Sequence, residues 1–239
     1  MSGTLFLMPV PLAAGTAATV LPSGTVAAAR SIDYVLAENA KTARAFLKEI
    51  GHPKPIQELR IVEIGHRPDP ASIAQWLAPV SAGTDCAIVS EAGCPGIADP
   101  GADIVAQAHR LGIVVHPLIG PSSLLLALMA SGMNGQAFRF VGYLPQDAAA
   151  LTTRLRELER GARGGETQLW IETPYRNDRM LDAVLACCAA DTRLLVAADL
   201  TSATEWIRAL PIATWKADAA ARPALHKRPA VFGLIGPGR

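Results

Sequence analysis

Five short apolar runs, interleaved with stretches of helical spacing, constrain this chain more than any other feature. The runs are TLFLMPV (4–10), YVLAE (34–38), RIVEI (60–64), CAIVS (86–90) and IVVHP (113–117). Their brevity and largely apolar, β-branched character mark buried strands. Between them, AKTARAFLKEI, DPASIAQWLAPV and GADIVAQAHRL repeat apolar residues at helical intervals. Such alternation requires a parallel sheet flanked by helices. Asp69-Pro70 and Asp99-Pro100 predict two helix starts, each with aspartate as N-cap and proline at the first helical position.

The second half has a different texture. SSLLLALMASGM predicts a helix opened by Gly120-Pro121-Ser122, and strand FRFVGYL follows. A charged helix from Ala148 to Arg160 precedes strand TQLWIET, helix NDRMLDAVLACC and strand RLLVAAD. EWIRALP and PAVFGLIG predict two further strands with a weak helix between them. Successive late strands with little intervening helix predict a mixed sheet. The chain therefore reads as two α/β domains, residues 1–118 with a parallel sheet and 119–239 with a mixed one.

With 239 residues, half of them hydrophobic, either one large core or two smaller ones can be buried. Residues 1–118 carry 8 Lys/Arg against 10 Asp/Glu, and residues 119–239 carry 14 against 11. A net charge of +1 is no strong nucleic-acid footprint. Cys86, Cys94, Cys187 and Cys188 form no CxxC and no zinc-like spacing with histidine, so a reduced, cytoplasmic protein without a metal is expected. No charged residue precedes Arg30, but Pro9 and Pro11 interrupt what a signal peptide needs as a continuous apolar core. The uncharged span from Leu111 to Phe138 contains HPLIGPSS and reads as strand, loop and helix, not as a membrane crossing. GxxxxGK[ST], GxGxxG after the first strand, and HExxH are all missing, which argues against P-loop, Rossmann and zincin chemistry.

The segment SEAGCPGIADPG (90–101) places three glycines and two prolines immediately after the fourth strand. Ligands of open parallel sheets bind beyond the carboxyl ends of the strands. Glycine allows close backbone approach, and proline removes freedom before the ligand arrives. GPSS follows the fifth strand in the same manner and offers helix N-terminal amides and hydroxyls. Ordinary tight turns and caps are the better explanation of one such loop; two after neighbouring elements reverse the balance and favour a binding site. Cys94 is poorly suited as an elbow nucleophile, because Pro95 lacks the amide that would serve as oxyanion donor.

SEAGCPGIADPGADIVAQAHRLGIVVHPLIGPSSLLLALMASG, followed by FVGYLP, resembles the tetrapyrrole (corrin/porphyrin) methylase superfamily. VLAEN (35–39), IETPYR (171–176) and LVAADLT (195–201) resemble, in order, the branch that methylates a cytidine ribose 2′-oxygen in small-subunit ribosomal RNA. The resemblance implies S-adenosylmethionine (SAM) held in a cleft between the two domains, usually within a homodimer. It implies cofactor contacts from Glu91, Gly93, Cys94, Ile97 and Ala98, and from Pro121, Ser122 and Ser123. Trp170, Ala198, Leu200 and Pro229 are the corresponding positions of the second domain. PVPLAAG stands where that branch has PIGNL, Glu38-Asn39 where it has an acidic pair, and SEAG where it has SDAG.

Substrate is expected near the first-strand loop and the AEN segment, at Pro11 and Asn39, with Glu38 as candidate base for a hydroxyl proton. Glu38 is alternatively a helix cap or the partner of Lys41 or Arg44. Glu172 and Arg176 are expected either to orient substrate or to pair structurally at i and i+4. Arg154, Arg156, Arg160 and Arg163 form a basic helix face suited to phosphates, or a solvated face shared with Glu157 and Glu159. Three readings are open: a ribosomal RNA ribose methyltransferase, with the small ribosomal subunit as partner; a methyltransferase for a tetrapyrrole or other small molecule; and a non-catalytic SAM-binding protein.

Overall fold

The computed structural model describes residues 2–218 and 222–237. Two compact units, Met1–Ser122 and Ser123–Arg239, divide the chain. PLIGPS thus belongs to the first unit.

In the first unit, strands β1 (Thr4–Met8), β2 (Tyr34–Ala37), β3 (Arg60–Glu63), β4 (Cys86–Val89) and β5 (Val114–Pro117) form one sheet. Its order is β3-β2-β4-β1-β5, and every pairing is parallel. Alternate strand residues feed two cores. Val35, Ala37, Ala87 and Val89 pack on the side of Phe46 and Leu47, whereas Leu36, Cys86 and Ile88 pack with Leu77, Val80 and Ile104. A period of two distributes the side chains of each strand to opposite faces, which is why the runs of central strands β2 and β4 are buried throughout. Strands β3 and β5, expected to be buried as well, are sheet edges and are partly exposed. Helix α3 (Ala40–Glu49) covers one face; α4 (Ile73–Ser81) and α5 (Ala102–Arg110) cover the other.

Two short helices, α1 (Ala17–Val20) and α2 (Ser23–Ser31), occupy a stretch for which the sequence predicts no element. Neither has a side-chain N-cap of its own. Distant residues hold them: Glu49 accepts from the amides of Gly15 (3.2 Å) and Ala17 (2.8 Å), and the Thr25 hydroxyl donates to Ile119 O at 2.7 Å.

The second unit contains β6 (Phe138–Tyr143), β7 (Thr167–Glu172), β8 (Arg193–Ala198), β9 (Trp206–Pro211) and β10 (Ala230–Ile235), ordered β6-β7-β10-β8-β9. Only β6 and β7 are parallel, so the sheet is mixed, as expected. Helices α7 (Ala148–Arg163), α8 (Asn177–Cys187) and α9 (Ile212–Ala217) pack around Trp170, Val196 and Phe232 in one core. Helix α6 (Ser123–Ser131) lies against β8, β9 and β10. Cys188 is buried in this core and all four thiols are free, which fits packing roles for the Cys187-Cys188 pair.

The two Asp-Pro dipeptides behave differently. Asp69 does cap, its carboxylate accepting from the Ala71 amide at 3.0 Å at the head of a 3-10 turn (Pro70–Ser72) leading into α4. Asp99 does not. Helix α5 starts only at Ala102, and its N-cap is Gly101 with φ of 139°, a conformation that carries the chain past Asp99 before the helix begins.

Candidate functional site

Because every strand of the first sheet runs the same way, the loops after β1 to β5 emerge at one carboxyl edge. Three of them are tied together. Val10 and Gly93 exchange amide-to-carbonyl hydrogen bonds of 2.9 and 3.1 Å, joining the β1 and β4 loops. The Cys94 thiol donates to Pro121 O at 3.4 Å, joining the β4 and β5 loops. Gly120 abuts Pro9 so closely that a Cβ there would lie 2.3 Å from Pro9 Cβ. Pro11 is half-buried in the β1 loop.

The glycine loop has defined turns. Pro95 precedes Gly96, whose φ is +80°, and Ile97 N–H donates to Cys94 O at 3.3 Å, the signature of a type II turn. Gly93, with φ of +72°, uses both backbone polar groups on Val10, so its role is conformational and not that of a free donor. Ala98 holds φ of 66°, uncommon for a residue with a Cβ. Burial, and secondarily the Asp99 charge, push the Cys94 thiol pKa upward, which keeps it protonated.

At the neighbouring strands the polar groups gather. Glu38 follows β2, and its side chain is 5% exposed. One of its oxygens is hydrogen-bonded to His66 Nδ1, and the other accepts from the Glu91 amide at 3.0 Å. His66 follows β3 through Gly65, whose φ of +67° turns the chain back toward β2. Its side chain is 73% exposed. Asp99 is half-buried; burial, reinforced by the Glu38 charge, raises its pKa to about 6 against a partial counter-effect from Ser90 and His66. Ser90 Oγ itself is buried, with Asp99 as its polar neighbour but without a partner in full hydrogen-bond geometry.

Glu38 therefore neither caps α3 nor pairs with Lys41 or Arg44. The cap is Asn39, whose side chain accepts from Lys41 N (2.9 Å) and Thr42 N (3.4 Å). Nitrogen and oxygen atoms of Glu38, His66 and Glu91 lie within 4.8 Å of one another. Both Glu38 oxygens are already engaged by N–H groups, an arrangement that suits proton handling better than cation binding.

Sequence reasoning missed His66. It stands in no motif and lies 28 residues from its partner. The available signal was topological: loops after adjacent parallel strands share an edge, and His66 is the titratable residue closest behind RIVEI.

In the second unit, Ala230 pairs in register with both Glu172 and Ala198, so these positions share one end of the sheet. Pro229 and Leu200 adjoin them, and Pro229 O accepts from Asp199 N at 3.0 Å. Asp199 and Thr201, on either side of Leu200, hold positive φ of 50° and 68°. Glu172 and Arg176 form an ion pair of 3.0 Å, the structural alternative of the two readings. Trp170 is fully buried, stacks on Phe232 with centroids 5.6 Å apart, and leaves its indole N–H without a partner. On α7, Arg154 pairs with Glu157 and Arg163 with Asp191, while Glu159 accepts from Ala189 N and the Thr192 hydroxyl.

The first-unit edge suits SAM as a donor set. A Cβ at Gly96 would meet nothing within 4 Å, so the turn presents bare backbone to open space. Ile97 is 50% exposed and Ile119 75%, two uncovered apolar surfaces in loops that the Cys94–Pro121 contact links. Exposed Glu91 supplies a carboxylate for hydroxyl or ammonium groups.

Solved structures share this fold. The methyltransferase CobJ superposes with a TM-score of 0.66 at 17% identity, over 98% of this chain and 95% of its own. The conserved hypothetical protein APE0931 from Aeropyrum pernix K1 gives 0.68 at 16%, over 99% and 85%. The family model Tetrapyrrole (Corrin/Porphyrin) Methylases matches residues 19–215, and the chain belongs to that family. The fold, taken together with the family match and the curated relatives, makes this a SAM-dependent methyltransferase.

Among curated relatives, "Ribosomal RNA small subunit methyltransferase I" of Pseudomonas aeruginosa is 30% identical over 212 residues, covering 89% of this chain and 71% of that protein. The protein of the same name from Bacillus subtilis is 31% identical over 205 residues, 85% and 65%. That from Vibrio cholerae is 35% identical over 139 residues, 57% and 47%. The matches thus span from about half to about seven-tenths of these relatives.

Proposed function

We propose that this protein methylates small-subunit ribosomal RNA, with a ribose 2′-hydroxyl as acceptor. The observation that carries the reading is the identity of 30% maintained over 89% of the chain with a relative of that name. SAM supplies a methyl carbon on a sulfonium sulfur, and transfer proceeds in line, so holding donor and acceptor in register supplies much of the acceleration. Gly96, Ile97 and Ala98, with Glu91 and the Pro121–Ser123 segment, would hold the cofactor; Ala198, Leu200 and Pro229 are the second-unit candidates, and Trp170 would act from within the core. Pro11 and Asn39 border the loops where RNA would approach, and Asn39 acts there by fixing the start of α3. Glu172 and Arg176 shape the second-unit edge through their mutual ion pair.

Tritium-labelled SAM incubated with small subunits from a strain lacking the gene, followed by nuclease digestion and mass spectrometry, tests the reading. Label in a 2′-O-methylnucleoside supports it. Label confined to extracted tetrapyrroles supports the small-molecule alternative, and binding of SAM by calorimetry without transfer supports the non-catalytic one.

A homodimer is part of the proposal. Leu125 (52%) and Met129 (79%) on α6 and Val114 (59%) on edge strand β5 leave apolar surface uncovered. Sedimentation velocity at micromolar concentration should give twice the 25.1 kDa chain mass. No helix among the described residues is long and apolar enough to cross a membrane. A ribosomal substrate places the protein in the cytoplasm, where fractionation should find it.

A further inference from the structure

We propose that His66, held by Glu38, takes the proton from the hydroxyl that is methylated, and that Glu38 is a positioning residue and not the base itself. The proposal rests on the RNA methyltransferase reading above. Glu38 is poorly placed to meet a substrate: its side chain is 5% exposed and its two oxygens are engaged by His66 Nδ1 and the Glu91 amide. His66 has the opposite character. Its ring is 73% exposed, and with Nδ1 committed to the carboxylate the free lone pair falls on Nε2. A carboxylate behind an imidazole fixes tautomer and orientation and stabilises the imidazolium that forms.

The position supports the assignment. Glu38, His66 and Glu91 follow β2, β3 and β4, adjacent strands of the parallel sheet, and Glu91 opens the glycine loop. The base thus stands on the edge that carries the cofactor loops. As the acceptor oxygen bonds to the methyl carbon, the carbon–sulfur electron pair stays with sulfur, the O–H bond breaks and its proton passes to Nε2. The imidazolium, paired with Glu38, then releases that proton to water, which its exposed ring meets directly.

The charged groups facing His66 are Glu38 from the β2 end and Glu91 and Asp99 from the β4 loop. On its own loop, Asp69 is turned to Ala71 N and the Ser72 hydroxyl. All three facing groups are acids, and they raise the His66 pKa above its ordinary value. The Glu38 hydrogen bond is the largest cause and the Glu38 charge the next; desolvation opposes them, and the Glu91 and Asp99 charges each add less than desolvation removes. The rate should therefore climb with pH through that raised pKa.

The test joins an NMR titration with kinetics. In cofactor-free protein, the His66 resonance, assigned by its loss in His66→Ala, should titrate above pH 6.5, and Glu38→Gln should lower that pKa. In methyl transfer to small subunits, His66→Ala should reduce kcat by about 10²–10⁴-fold, with SAM affinity and RNA KM within about threefold. Glu38→Gln should shift the acid limb of the pH–rate profile downward, following the NMR pKa. His66→Ala activity within threefold of wild type overturns the proposal, as does full rescue by His66→Gln, which can hydrogen-bond but not titrate. A wild type that methylates tetrapyrroles and not RNA sinks the substrate reading alone, and the same comparisons on that acceptor then decide the role of His66. No transfer to any acceptor overturns both, while the titration still reports whether Glu38 governs His66.

Discussion

Two buried glutamates, one in each unit, have opposite kinds of partner. Glu172 in the second unit is fully buried at its side chain and faces Arg176, a cation at every physiological pH, itself only 22% exposed. Glu38 in the first unit is nearly as hidden but faces His66, an imidazole whose pKa the Glu38 hydrogen bond raises and which is 73% exposed. The first arrangement locks the β7–α8 junction; the second places a proton-carrying group at the surface with a fixed carboxylate behind it. Burial of a carboxylate therefore says little about its role until the partner's exposure and pKa are known.

The sharpest way to break this contrast is to remove each partner. Arg176→Ala removes the counter-ion of a fully buried carboxylate and leaves only the Thr173 amide on its other oxygen, and losing one member of a buried pair costs about 3–5 kcal/mol. His66→Ala exposes Glu38 to water that can replace the lost contact, and the Glu91 amide remains. Urea unfolding of both variants should show a large loss for the first and a small fraction of it for the second. Equal losses would mean that His66 is as structural as Arg176.

Next in size is Gly93→Val. A φ of +72° is strained for any side chain and most for a β-branched one, and the added Cβ would lie 3.2 Å from Leu12 Cδ2. The expected destabilisation is about 2 kcal/mol, with SAM affinity lowered at least about tenfold because the Val10–Gly93 link that sets the loop would give way. Calorimetry showing wild-type affinity would separate the cofactor site from this loop.

These contrasts also explain what the sequence revealed. The ten strands among the described residues were legible, since largely apolar runs or alternation over four to six residues leave few alternatives. Helices α1 and α2 were not: Gly24, small side chains and no local cap give a weak signal, and their anchors, Glu49 and Ile119 O, are remote in sequence. The same distance hid His66. Asp99 was misread as a cap because Asp-Pro looks alike at both sites, whereas the φ of Gly101 that delays α5 is invisible in the letters. In the glycine loop, rigidity and close backbone approach were legible from the glycines and prolines, but the commitment of Gly93 to Val10 was not.

Asp99 supplies a smaller test that belongs to the first unit alone. Its pKa is raised from 3.8 to about 6, first by burial and then by Glu38. Between those values the folded state holds a proton that the unfolded state has lost, so stability falls as pH rises from about 4 to 6 and the penalty is complete above. A rise of that size corresponds to about 3 kcal/mol, reduced to about 1–2 because the group is partly screened by solvent. Asp99→Asn should flatten that segment of the stability–pH curve, read from chemical denaturation at each pH; an unchanged slope would place its source elsewhere.

The smallest expected effect is at Cys94, and its smallness is informative. The thiol lies in the turn proposed to face the cofactor, yet it donates to Pro121 O, its pKa is raised by burial, and the next residue has no amide hydrogen. Each of these opposes thiolate chemistry. Cys94→Ser keeps a donor toward Pro121 O, so stability should change by about 0.5 kcal/mol or less and methyl transfer by no more than about twofold. Loss of transfer with SAM binding intact would make the thiol a participant and displace the edge chemistry from His66 to the glycine loop. Retained transfer in Cys94→Ser beside lost transfer in His66→Ala would localise the proton step to the β2–β3 corner and leave the loop the task of holding the donor.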